Sequence, residues 1–430
     1  MFDISSPMMI ATMSPTMSQH SPTQLRTYAI DNLRTFLTIL VVLHHAALAY
    51  GGTGSFGYRS PYHPPGSSIA LTAFNVLNQT FFMALFFLLS GYFSSIAARK
   101  RTRVTFITEK MKRLGVPTLM YSLFGKGIIR AMVAWRVDGS GWAGIKREFV
   151  AGVKSTRGAG GPTWFTALLL VFDVLYTLKL RKHFAQIPAQ ERQPLMAREQ
   201  GIQATPKHQY GPMRTAYIVL GLSVAAMSSF LIRLRYPFGH VFVPLSLTLG
   251  YLPQYVLYYS TGIYIQRHGI PLNKPISFHA IITIASIALG LSVLSIYAIF
   301  NLSHQDGSLA EAVRLAGGGS NVFACLYAFQ NEYIGFLFSS LLLHLFHRYS
   351  VLTTQWTIFG IDIASGSYAT FLIHIPVLVE TMTEFDEDAW KDWSPVIKTV
   401  VVGVMGVVKS WVLGLGVKWV LERAGWRGYL

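Results

Sequence analysis

The sequence predicts an all-α protein: a polytopic membrane helix bundle of about ten transmembrane helices with both termini in the cytosol. Three observations carry this expectation. The 430-residue chain is 52% hydrophobic and only 13% charged, whereas a soluble domain carries about 25% charged residues. Its apolar stretches are long enough to cross a hydrocarbon core of roughly 30 Å. Its basic residues sit at the ends of those stretches, as the positive-inside rule requires. That placement also accounts for the net charge of +17, so no nucleic-acid partner is expected. The single cysteine, Cys325, excludes an intramolecular disulfide.

Residues 1–27 are rich in Met, Ser, Thr and Pro and carry neither the basic n-region nor the apolar core of a signal peptide. They read as a disordered cytosolic tail. The membrane domain follows over 28–425, with apolar segments at roughly 32–50, 72–97, 114–135, 163–180, 214–233, 241–265, 277–300, 321–346, 357–380 and 396–420. The link from Arg99 to Arg113 holds RKRTR and EKMKR, which assigns it to the cytosol. Alternation then puts on the same side the polar loop at about 181–213, Arg267-His268 after the sixth segment, and His347-Arg348 after the eighth. The acidic link TEFDEDAWKD falls opposite. The third-to-fourth link is an exception, because it falls outside yet holds Lys146, Arg147, Lys154 and Arg157. Its glycine-rich end, RGAGGPTW, is expected to fold back towards the membrane. Asn301-Leu302-Ser303 is a glycosylation sequon close to the seventh segment. Trp426 to Leu430 carries no retention or lipidation motif. The protein is expected in the endomembrane system or the plasma membrane. No convincing internal repeat is visible, which weakens an inverted-repeat transporter reading.

The first apolar segment, DNLRTFLTILVVLHHAALAY over Asp31–Tyr50, carries the most chemistry. A helix turns about 100° and rises about 1.5 Å per residue, so Arg34 and His45 lie within about 20° of one line and roughly 16 Å apart along it. Asp31 and Thr38 fall near the same line, and His44 points about 100° away. Ionisable groups inside a membrane are costly and usually face a bundle interior or a water-filled cavity. A histidine there suits a general base or a transient acyl carrier, and His45 is the first candidate. His44 reads as an orienting or packing neighbour beside bound substrate. The Arg34 fork suits a phosphate or carboxylate, with Asp31 one turn earlier able to pair with it or to cap the helix.

Ser90-Gly91 allows close helix packing. The basic cluster before the third segment suits either anionic lipid or a polyanionic cytosolic cosubstrate such as coenzyme A. Lys110, Lys112 and Arg113 are the candidates there, the last two best placed. Trp164 follows a GPTWF turn. Pro253, Gln254 and Tyr255 interrupt the sixth segment with polar groups, Glu332 is a carboxylate inside the eighth, and His374 precedes Pro376 in the ninth. Together with His44, the residues Trp164, Gln254, Tyr255, Glu332 and His374 form the candidate acceptor pocket. The chain has no phosphate-binding loop, no nucleophile elbow and no His/Cys cluster with metal spacing, so no metal is expected.

The pattern Asp31-x-x-Arg34 followed after ten residues by His45 resembles the opening signature of the acyltransferase 3 family. FFMALFFLLSGYF with a basic stretch and KRLGVP, then GPTWF, YLPQYVLYYSTGIYIQR and YATFLIHIPVL, resemble that family's later landmarks in order. The likeness spans about 28–425 and is strongest to the glucan biosynthesis protein C-like and fungal biosynthetic subset. It implies a ten-helix membrane O-acyltransferase that takes an acyl group, commonly acetyl, from cytosolic acyl-CoA to a hydroxyl of a carbohydrate or a small metabolite. Acyl-CoA would be a cosubstrate and no cofactor would be permanently bound. The resemblance makes the position of His45 catalytic and that of Arg34 essential, and links the basic residues before the third segment to the donor. The chain departs at Lys110 and Lys112, where many members have arginine, and has an extra residue between Arg113 and Pro117. A natural-product acceptor is favoured over a carbohydrate, since no extracellular hydrolase-like domain is appended. The alternative is a proton-coupled transporter of a small polar solute built on Arg34, His45, Glu332 and His374. A catalytically dead scaffold is a third.

Overall fold

The structure is a computed structural model. It describes residues 28–179 except 55, 212–270, 272, 278–302, 309–426 except 388, and 428. The amino-terminal tail and nearly all of the polar loop expected at about 181–213 lie outside the described residues.

Among the described residues the regular structure is helical apart from one short hairpin and one isolated bridge. Helix α1 spans Tyr28–Ala49, and α2, the longest, spans Ile69–Lys100. The Ser68 side chain accepts from the Leu71 amide and starts α2. Helix α3 (Arg103–Lys110), started by Thr102, runs through a π-helical turn at Met111–Gly115 into α4 (Val116–Arg136). Helix α5 (Trp142–Lys154) folds back along α4, and α6 covers Thr163–Lys179. The rest are α7 (Pro212–Arg235), α8 (Leu252–Arg267), α9 (Phe278–Leu302), α10 (Leu309–Gly317), α11 (Val322–Arg348), α12 (Ser367–Phe385) and α13 (Pro395–Arg423).

Each of the ten expected segments holds one of these helices. Among the described residues, five are long and apolar enough to cross a membrane: α1, α2, most of α7, the 23 residues ending with α12, and α13. Along α13, Val400, Val404, Val408 and Val412 form an exposed stripe at i, i+4 spacing. An apolar stripe on an outer face suits lipid rather than water. This is an all-α membrane protein.

Helix α2 is the central post. It runs parallel to α8 with their backbones in contact: a Cβ at Gly91 would lie 2.1 Å from the Tyr259 carbonyl oxygen, and one at Gly262 would lie 2.0 Å from that of Leu88. Glycine is the residue type that permits such an approach. Around this pair α1, α6, α11 and α12 enclose a core rich in Phe, Leu and Tyr.

Two expected segments start late. Residues 241–251 are a turn with a Phe242–Leu247 bridge and a 3-10 turn at Leu249–Tyr251, so α8 begins only at Leu252. Pro253 therefore sits in the first turn of α8, where its missing N–H costs nothing, and does not interrupt a longer helix. In the ninth segment Thr357–Ile358 pairs with Ile361–Asp362 as a hairpin ahead of α12. Phe359 (φ 50°) and Gly360 (φ 76°) supply the two positive-φ positions of its tight turn. The glycine-rich link does fold back among the helices: Gly161 packs on the Tyr121 ring and the Ala159 amide donates to the Pro244 carbonyl. Asn301 of the sequon lies exposed in the last turn of α9; Ser303 is outside the described residues.

Candidate active site

Three helices give the same depth scale. On α1, His44 and His45 lie near the open end and Arg34 near the basic end. On α2, the Phe82 ring lies 4.9 Å from His44, and the Arg34 guanidinium lies 6.0 Å above Phe93, eleven residues on. On α12, His374 accompanies His45, while Tyr368 accompanies Arg113.

At the open end the two histidines diverge as the helix geometry requires, their rings 5.7 Å apart and at 89°. Asn75 Nδ2 donates to His44 Nδ1 at 3.2 Å and to the His44 carbonyl at 3.1 Å. An amide nitrogen only donates, so His44 carries its proton on Nε2. His45 is set the other way. His374 Nδ1 lies 2.7 Å from the Phe371 carbonyl, which only accepts, so His374 holds its proton there and leaves Nε2 as acceptor. That nitrogen is 3.1 Å from His45 Nδ1, so His45 donates to it. The chain of donors ends with a lone pair on His45 Nε2.

His45, His44 and His374 line a cavity of about 1270 Å³. Its walls include Val41, Leu48, Val76, Phe82, Met83 and Tyr327, and its floor Trp164, Tyr255 and Phe371. The Trp164 and Tyr255 rings lie tilted 5.5 Å apart, and Tyr255 stacks on Phe87 at 4.7 Å. Over His45 lies Phe56, ring to ring at 5.3 Å, on the roof segment between α1 and α2. That roof is fastened to the end of α12. Asp386 accepts from the Tyr58 hydroxyl at 2.8 Å, the Ser60 hydroxyl at 2.9 Å and the Lys398 ammonium at 3.0 Å. The Lys398 side chain is fully buried, so this ion pair is stable only because hydroxyls fill the remaining acceptor positions.

Two expected pocket residues are elsewhere. Gln254 Nε2 donates to the carbonyls of Thr80 at 2.9 Å and Asn331 at 3.1 Å, clamping α8 to α2 and α11. Glu332 is fully buried beside Asn331, which donates to it at 3.2 Å. Neither lines the cavity.

At the basic end Lys112 and Arg113 are exposed on the π-helical turn. The Arg113 carbonyl accepts from the Tyr368 hydroxyl at 2.6 Å, and its guanidinium lies 5.6 Å over the Tyr368 ring. Lys110 instead turns inward, 2.8 Å from the buried Asp173 and 2.8 Å from the Ser94 hydroxyl. Asp31 sits in the first turn of α1, its carbonyl accepting from Thr35 at 3.0 Å. Arg34, Lys112 and Arg113 do not line the cavity that holds His45, so the basic end and the cavity are two separate regions.

Asn75, Phe56, Phe371 and the Asp386–Lys398 pair went unnoticed in the sequence. Only Lys398 gave a signal, as a lysine inside an apolar run.

The family model Acyl_transf_3, described as an acyltransferase domain, matches residues 27–415. The chain is a member of this acyltransferase 3 family. No curated protein and no solved structure matches it. Its place among the acyltransferase 3 proteins makes it a membrane acyltransferase, and the match covers every candidate site residue.

Proposed function

We propose that this acyltransferase moves an acyl group, acetyl in the simplest case, from acyl-CoA to a hydroxyl of a small metabolite or a carbohydrate, with His45 as general base. The His45–His374–Phe371 chain carries the reading, since it leaves His45 Nε2 as a proton acceptor on a cavity wall. The acceptor hydroxyl gives its proton to Nε2 as its oxygen attacks the thioester carbonyl. The carbon–sulfur bond breaks, the proton passes to the leaving thiolate, and an ester and free CoA result. As His45 becomes imidazolium, its Nδ1–H bond to His374 strengthens.

The donor's phosphates fit Arg34, Lys112 and Arg113 at the basic end, which we take as cytosolic, with ten spans and both termini there. Asp31 orients Arg34, and Lys110 positions the turn through Asp173. The acceptor fits the cavity, where His44, Trp164 and Tyr255 meet it and His374 serves through His45. Its volume exceeds the roughly 300–1,000 Å³ of drug-sized sites, and its apolar walls suit a natural product better than a free sugar. A proton-coupled transporter would draw on Glu332, yet Glu332 stands apart from the cavity, which favours the enzyme.

The test is thiol release from acetyl-CoA by purified protein with and without a crude metabolite extract. Extract-dependent release that vanishes in His45→Ala supports the reading, and mass spectrometry then identifies the ester. Full release by His45→Ala would sink it.

A further inference from the structure

Between the two regions lies a layer of aromatic rings. Phe86 on α2, Phe165 on α6 and Phe371 on α12 form a closed triangle, with ring centroids 5.7, 5.9 and 5.6 Å apart. All three are buried. The depth scale places them. Phe86 is four residues below Phe82, which touches His44, and seven above Phe93, which touches Arg34, or about 6 Å and about 10 Å at 1.5 Å per residue. On α12 Phe371 lies one turn below His374 and one turn above Tyr368, the partner of Arg113. The cavity reaches Phe371 but not Phe86 or Phe165.

We infer that Phe86, Phe165 and Phe371 are a gate, and that the pantetheine arm of an acyl thioester parts them to bring its carbonyl from the basic end to His45. The inference rests on the donor assignment proposed above. The arm is thin and uncharged, so it suits a slot between rings in a way the phosphates do not. The rings sit on three different helices and meet only through ring contacts, so rotation of side chains opens the layer. Helix α12 adds freedom, because Pro376 lacks the N–H that the Leu372 carbonyl would otherwise accept. Closed, the triangle keeps water and solutes in the cavity from the basic face. It also keeps the acceptor hydroxyl away from the donor until the donor is bound.

The single native cysteine makes the gate testable without reference to turnover. In vesicles, Cys325→Ser removes that thiol and His45→Cys installs one in the cavity. A charged, membrane-impermeant methanethiosulfonate is then offered to one face at a time. With the three rings intact, labelling is expected only from the face bearing Thr53. Phe371→Ala and the gentler Phe86→Leu are each expected to raise labelling from the Arg113 face by about tenfold. Unchanged labelling from the Thr53 face reports that each variant is folded. Labelling of the intact protein from the Arg113 face overturns the gate, as does no increase in whichever variant keeps its Thr53-face labelling. A thioether analogue of acetyl-CoA separates the two ideas. Protection of His45→Cys by the analogue supports passage of the arm. Ring-dependent labelling without protection overturns the thioester as the gate's ligand, and with it the donor assignment.

Discussion

His44 and His45 are the same residue in adjacent positions, yet they meet opposite surroundings. Asn75 donates to His44 Nδ1 and ties it into α2. His374 accepts from His45 Nδ1 and leaves the far nitrogen of His45 basic. A fourth histidine, His63, sits on the roof, where burial first and the Lys398 ammonium second pull its pKa below the usual 6.5, against Asp386. The lesson is that a membrane histidine takes its role from the partner at its other nitrogen, and that a carbonyl at the end of the chain can do the work of an acid.

That comparison breaks most directly at His45. His45→Ala is expected to lower the turnover of acyl-CoA by about 10²–10⁴, with an unchanged melting profile. His374→Leu removes the partner and should cost about 10² through misplacement of the ring. His374→Gln, whose amide oxygen accepts, should recover part of that loss, and equal rates for the two variants would show that orientation is not what His374 supplies. On the other side, Asn75→Leu leaves the His44 nitrogen and carbonyl without their donor. Its cost should appear as about 1–3 kcal/mol of stability in thermal unfolding, with a smaller effect on rate. His44→Gln should retain activity to within about tenfold; a loss as deep as that of His45→Ala would erase the distinction between the two.

The smallest effect concerns His63. Its folded pKa lies below the unfolded value, so the unfolded chain binds more protons as pH falls. The associated stability is complete above the unfolded value near 6.5 and is lost as pH drops through the folded pKa. Melting temperature should therefore fall from about pH 7.5 to about pH 5.5, and less steeply in His63→Gln.

Much of α1 was legible because a single helix fixes its own angles. The 100° between His44 and His45 and the distance to Arg34 need no neighbour. What could not be read were pairings across the chain. His374 meets His45 over 329 residues, and Asp386 looked like one more acid in an acidic link. Lys110 read as a free cation because its partner, Asp173, is brought to it only by the packing of α6. The hairpin at 357–362 was hidden inside an apolar run, since alternation over two-residue strands leaves no period to detect.

The fastening of the roof has a consequence for how the protein is made. Tyr58 and Ser60 depend on Asp386, and Asp386 depends on Lys398 of the last helix. Ribosomal synthesis delivers these groups first to last, with α13 arriving after every histidine and ring of the site. Until Lys398 is inserted, Asp386 has no cation to accompany it into the bundle, and the segment over His45 has nothing charged to hold it. The cavity around His45 is thus closed from the carboxyl end, and a ribosome stalled before α13 leaves a chain with the three histidines of its wall present and its roof untied.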